Sequence, residues 1–157
     1  MSVTFDFKHS VKDVIKVMTD PGFQIERGLA LGDLEVDCKV EKRGDDVVLR
    51  MTRRTPVELN AFLAKFFGSI QDTVVVETWR RDGANWVGAS DVQIKGQPVT
   101  MSAAISLKAN GKGSRYEITH DCKVGIPIVG GKIAKEALAR ADQRVIDELE
   151  LAREKLG

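Results

Sequence analysis

The sequence predicts an α+β fold in which a curved antiparallel sheet wraps around a long C-terminal helix. Three observations carry this reading. From Leu34 onward, apolar residues recur at every second position, the period of half-buried strands. Short glycine-containing turns divide these runs at hairpin spacing. From about Lys132 to Leu156 the apolar period becomes helical. At 157 residues, the whole chain, 1–157, is expected to form one domain.

The elements follow in order. Val3, Phe5 and Phe7 alternate with Thr4, Asp6 and Lys8, as in a first strand. Ser10 stands three residues before Asp13, a capping-box-like start for a helix carrying Val11, Val14, Ile15 and Met18. Asp20-Pro21 opens a second short helix with proline at its first position, and Gly28 and Gly32 weaken that helix and help end it. Next, Leu34, Val36, Cys38 and Val40 share one strand face, with Glu35, Asp37, Lys39 and Glu41 on the other. Gly44-Asp45 turns the chain into a strand from Val47 to Arg54, which Thr55-Pro56 breaks. Val57 to Phe67 reads as a short amphipathic helix or a covering segment.

Three further hairpins each carry a two-residue turn: Asp82-Gly83 suits type I′, and Gly96-Gln97 and Gly111-Lys112 suit type II′. Turns set register. The first places Trp79 opposite Trp86, Glu77 opposite Gly88 and Val75 opposite Ser90. The second pairs Gly88 with Ile105, Ser90 with Ala103 and Val92 with Met101. The third pairs Leu107 with Tyr116, Ala103 with His120 and Met101 with Cys122. Derived separately, the three registers put the apolar residues on one face. A Gly- and Pro-containing loop, Gly125 to Gly131, then leads into the last helix, with a stripe of Ile133, Ala137, Ala141, Val145, Leu149, Ala152 and Leu156.

Composition removes several functions. With 24 Lys and Arg against 23 Asp and Glu, the net charge of +1 provides no field to attract nucleic acid or an anionic membrane. Arg53-Arg54 and Arg80-Arg81 read as solvated strand ends. No apolar run is long enough to span a bilayer, and Met1 to Lys8 does not read as a signal peptide, so a cytoplasmic location is expected. Cys38 and Cys122 are accordingly expected as reduced thiols. No nucleophile elbow, phosphate loop or dinucleotide fingerprint is present, and His9, Cys38, His120 and Cys122 lack metal-ligand spacing. Neither a cofactor nor a metal is expected.

The order of strand, two short helices, six strands and one long helix resembles the START-like, helix-grip (SRPBCC) superfamily, which includes the birch-pollen-allergen proteins. The resemblance covers essentially the whole chain. The loop Ile126-Pro127-Ile128-Val129-Gly130-Gly131-Lys132-Ile133 further resembles an uncharacterised family within it, best known from actinobacteria. The resemblance implies a seven-stranded sheet gripping the last helix over a cavity that, in most members, takes a lipid, sterol, polyketide or other apolar molecule. A minority of members are enzymes.

The residues suggest where such a cavity would lie. The inner face is large at one end, at Trp79, Trp86, Leu107 and Tyr116, and small in its middle, at Gly88, Ser90 and Ala103. The facing helix is also small in the middle, at Ala134, Ala137 and Ala141. Small residues on both layers either let them approach closely or leave a void. His120, opposite Ala103, is either a hydrogen-bonded core residue or a group that orients a ligand or moves protons. Glu77 shares this face and needs a partner if buried; Arg53 on the neighbouring strand is the candidate. The leading expectation is a carrier or sensor of a small apolar molecule. A cyclase- or dehydratase-type enzyme using His120 and Glu77 is the alternative, favoured if Glu77 faces the pocket without an arginine. The third reading is a protein-interaction module, favoured if Phe66-Phe67 is exposed as a patch.

Overall fold

A computed structural model describes residues 2–157. Its seven strands form one antiparallel sheet in the order β1-β7-β6-β5-β4-β3-β2. Strand β1 (Ser2–Phe7) is followed by helices α1 (Val11–Met18) and α2 (Pro21–Ala30). Strands β2 (Glu35–Arg43) and β3 (Asp46–Pro56) form a hairpin, and α3 (Ala61–Phe67) precedes β4 (Ile70–Asp82). Strands β5 (Asn85–Ile94), β6 (Val99–Asn110) and β7 (Gly113–Val124) complete the meander, and α4 (Gly130–Leu156) ends the chain. The curved sheet and long last helix match the helix-grip expectation.

Local chemistry accounts for the helices. Ser10 caps α1 by accepting from Asp13 N at 3.2 Å, and its buried face is Val11, Val14, Ile15 and Met18. Asp20 caps α2, with Pro21 in its first turn. Gly32, just beyond α2, has φ +100°, a glycine conformation that ends the helix. Gly28 has another role from the one its composition suggests. It sits inside α2, where a Cβ would come within 2.7 Å of Val36 Cγ2, so its missing side chain lets α2 lie close on β2. Leu34 also departs from expectation: it precedes β2 and is exposed, leaving Cys38 as the buried residue of that strand. Both cysteines are free thiols, and burial pushes Cys38 up to about 11.

The hairpin registers across β5, β6 and β7 are as expected, with Ser90 opposite Ala103 and Ala103 opposite His120. The β4–β5 register is two residues away from expectation. Asp82 pairs with Asn85, so Gly83-Ala84 makes the turn, and Trp79 faces Gly88 instead of Trp86. Gly83 has φ +62°, as a type II′ turn requires at its first central residue, and Ala84 has no positive φ. The packing reason is steric. A Cβ on Gly88 would lie 3.1 Å from Trp79 Cε3, so the indole lies across the one glycine of β5, where no side chain crowds it. Because the slip is two residues, every side chain keeps its face.

The main core gathers Val3, Phe7, Val14, Trp79, Leu107 and Leu149 between sheet, α1 and α4. A smaller cluster of Leu63, Phe67, Val99 and Ile133 joins α3 to the start of α4. Phe67 is thus a core residue. Only Phe66, at 41% exposure, remains outside, so the two phenylalanines do not form an exposed pair.

Candidate functional site

With β4 and β5 paired in this register, Glu77 faces Ser90, Ser90 faces Ala103 and Ala103 faces His120. These four residues make one row across β4, β5, β6 and β7, with Leu49 of β3 next to Glu77. The row floors a cavity of about 120 Å³ between the sheet and the middle of α4. Ala141, Arg144, Val145, Glu148 and Leu149 form its roof, at the i, i+3, i+4, i+7, i+8 spacing of one helix face. Apolar wall comes from Met18, Met51, Val75, Val92, Met101 and Ile118. Arg27 of α2 and Arg53 of β3 supply the polar side.

Of the residues expected to line a cavity, the structure brings Glu77, Ser90, Ala103, Tyr116, His120, Arg53 and Ala141 to this one. Trp79 and Leu107 are fully buried core residues instead. Gly88 lies under the Trp79 ring, and Trp86 is half-buried with the Arg81 guanidinium 5.4 Å from its ring centroid. Ala137 lies nearer the start of α4, beside a smaller apolar gap of about 40 Å³ shared with Leu63 and Phe67.

The electrostatic centre of the site is Glu148. Arg27 Nε, Arg53 Nη1 and Arg144 Nε approach its Oε2 at 3.4, 3.6 and 3.5 Å. Burial acts to raise this carboxyl, but the charges of Arg27, Arg53 and Arg144 outweigh it and hold it below the ordinary range. Arg144 is further fixed by Asp33, whose buried carboxylate accepts from Nη2 at 2.8 Å and Nη1 at 3.3 Å. Thr55 Oγ1 donates to the same Asp33 at 2.9 Å. Arg27 and Arg53 have no such clamp, and the Nε of all three arginines is buried without a hydrogen-bond partner.

The expected ion pair between Arg53 and Glu77 does not form; Arg53 pairs with Glu148. Glu77 instead accepts a hydrogen bond from Trp79 Nε1 at 2.9 Å. Burial is the largest influence on Glu77 and raises its carboxyl, against the opposing effects of Trp79 and Arg27. Burial, followed by the Glu77 charge, pushes the Tyr116 phenol well above its ordinary range. His120 Nδ1 lies 2.8 Å from Asp142 Oδ1, so a carboxylate from the helix fixes the imidazole orientation from above.

Sequence reasoning missed Arg27, Arg144, Glu148, Asp33 and Asp142. A signal existed for two of them. Arg144 and Glu148 fall at i+3 and i+7 from Ala141, next to Val145 and Leu149 on the apolar stripe, and they are four residues apart. Among the described residues, no group of three or more His, Cys, Asp or Glu could hold a metal ion. Nor is any helix among them long and apolar enough to cross a membrane.

Solved structures share this architecture at low sequence identity. TTHA0849 from Thermus thermophilus is 14% identical, with a TM-score of 0.64 over 99% of this chain and 95% of its own. A START superfamily protein from Mycobacterium smegmatis is also 14% identical, with a TM-score of 0.58 over 100% and 98%. Norcoclaurine synthase from Thalictrum flavum, solved in complex with dopamine and hydroxybenzaldehyde, is 16% identical, with a TM-score of 0.54 over 99% and 84%. The fold is therefore that of the START-like, helix-grip proteins. None of the curated proteins matches the chain by sequence. Within the START-like fold, the chain belongs to the family described as "Protein of unknown function (DUF2505)", which matches residues 2–156.

Proposed function

We propose that the protein binds, and so carries or senses, a small molecule in the cavity between the sheet and the middle of α4. The observation that supports this most is the cavity itself: apolar side chains from α1, five strands and α4 surround space that the buried polar groups do not fill. Its volume of about 120 Å³ is below the roughly 300–1,000 Å³ of drug-sized sites. It is closer to the roughly 150 Å³ cavity that holds benzene in another protein. A sterol or a polyketide does not fit these walls. The ligand is a molecule of one ring or a short chain, with an apolar body along Met51, Val75 and Met101. Such a ligand is consistent with a protein working in the cytoplasm.

The test is occupancy and its loss. Native mass spectrometry of freshly purified protein should show a co-purified small molecule or uptake of an added one-ring compound. Ala103→Phe, which fills the floor, should abolish uptake while the thermal melt stays cooperative. Unchanged uptake in this variant would place binding elsewhere. A collapsed melting temperature would mean that the centre has no room for a ligand.

One observation favours a second reading. Glu77 faces the cavity with no arginine in ion-pair contact among the described residues, in one row with a histidine oriented by Asp142. That arrangement suits proton transfer in a cyclase or dehydratase. Turnover that disappears in both Glu77→Gln and His120→Gln, with ligand binding retained, would establish it.

A further inference from the structure

We propose that the molecule taken up is a monocarboxylic acid whose carboxylate sits between Arg27 and Arg53. The inference rests on the cavity being a binding site and specifies what binds there. Donors and acceptors around the cavity are out of balance. Three guanidiniums converge on a single oxygen, Oε2 of Glu148, and all three contacts are ion-pair distances beyond ordinary hydrogen-bond length. Arg144 has a second carboxylate through the two-pronged contact with Asp33, although its Nε too is left without an acceptor. Among the described residues, Arg27 and Arg53 have no carboxylate in ion-pair contact besides Glu148. The Arg27 side chain is only 8% exposed, lines the cavity, and leaves a buried Nε–H without an acceptor; Arg53 Nε is in the same position. A buried charged donor without a partner is costly, so an acceptor brought by a ligand has a ready place.

Charge and size narrow the ligand class. Arg27, Arg53 and Arg144 face Glu148 and Asp33, three positive charges against two negative. Glu77, the remaining carboxyl lining the cavity, is in ion-pair contact with none of these arginines and accepts from Trp79 Nε1 instead. One further negative charge balances the group, whereas a phosphate dianion would leave a buried excess. A carboxylate also matches the planar fork of arginine, and its apolar remainder has Met51, Val75, Val92 and Met101 to lie against. Entry lies beside Arg53 and Arg144, whose side chains are 17% and 23% exposed, compared with 8% for Arg27.

The experiment titrates the full-length protein, by calorimetry and by amide chemical shifts, with benzoate and hexanoate. Benzyl alcohol and 1-hexanol serve as neutral partners, and inorganic phosphate as a bare anion. The acids should bind at least about tenfold tighter than the alcohols, the worth of one charged hydrogen bond. Arg27→Gln should remove that preference while leaving alcohol binding in place. Should Arg27→Gln fail to fold, Arg53→Gln supplies the same comparison, and the wild-type ligand series stands without either. Acids and alcohols bound equally would sink the carboxylate inference but keep the cavity reading. Phosphate bound in preference to both acids would also overturn it. If no compound binds, the cavity reading itself falls.

Discussion

Near its C-terminal end, helix α4 rests on the sheet through Leu149 and Ala152, which are 1% and 0% exposed and pack with Val3, Phe7 and Tyr116. Over the preceding two turns the same helix presents Ala141, Arg144 and Glu148, and there it spans a cavity ringed by charge. The difference lies in what each stretch has to bury. At the C-terminal end, interdigitating apolar groups leave no polar atom to satisfy, so close packing is the stable state. In the middle, small helix residues and the small floor at Ser90 and Ala103 withdraw from each other. The arginines entering from α2 and β3 need acceptors, and among the described residues Glu148 is the carboxylate that both reach. A protein can keep such a centre only where the surrounding core carries the stability, because buried ion pairs contribute little net stabilisation.

The most damaging change at the centre should be Glu148→Ala. It leaves three guanidiniums facing one another, at an expected loss of about 3–5 kcal/mol in chemical denaturation. Trp79→Ala should cost a similar amount, about 3–5 kcal/mol, by emptying the dry end. The two losses should differ in salt dependence: a small anion such as chloride, entering between the uncompensated guanidiniums, should mitigate the first and leave the second unchanged. Equal salt responses would erase the distinction between the two regions. Leu149→Ala, at the boundary between them, should cost about 2–5 kcal/mol, towards the lower figure if the existing cavity lets its neighbours relax.

A smaller effect separates the two carboxylates by pH. Glu148 is held below its ordinary value, so its pairing stabilises the fold above about pH 4.5 and is lost as pH falls through the lowered folded value. Glu77 is raised, so the folded state keeps its proton where the unfolded chain has lost it. Its contribution is favourable at low pH and declines as pH rises above about 4.5. Glu77→Gln, which can still accept from Trp79, should therefore raise the melting temperature by a few degrees at pH 8 and by less at pH 4.5. A larger gain at pH 4.5 would show that the charged form is the stabilised one. A change of comparable size is Gly88→Ala, whose Cβ would lie 3.1 Å from Trp79 Cε3. It should cost about 1–2 kcal/mol as the indole shifts, and leave ligand uptake at the centre unaltered.

Much of the floor of the site is legible in the amino-acid sequence, because strand alternation and turn position assign both face and neighbours. Ser90, Ala103 and His120 follow directly from the Gly96 and Gly111 turns. Glu77 falls on the right face but one pair away from its place, since Asp82-Gly83 and Gly83-Ala84 are both acceptable two-residue turns. The choice between them depends on Trp79 fitting over Gly88. The roof and the polar side are legible only in part: Ala141 and Arg53 are read as lining residues, but Arg53 with Glu77 as its partner instead of Glu148. An arginine or glutamate in a sequence reads as solvent-facing by default, and Arg27, Arg53 and Glu148 become a cluster only when α2, β3 and α4 meet.

The sequence by itself determined the order of elements, the helix caps, the inward face of each strand and the stripe that docks α4. All of these depend on sterics and hydrogen bonds within a few residues or on a simple period. The tertiary structure decided the two-residue register of β4 against β5, the filling of the large-residue end, the size of the central gap and the burial of the charges. Those outcomes depend on how volumes and charges from distant segments balance in one place, and no local pattern encodes that balance.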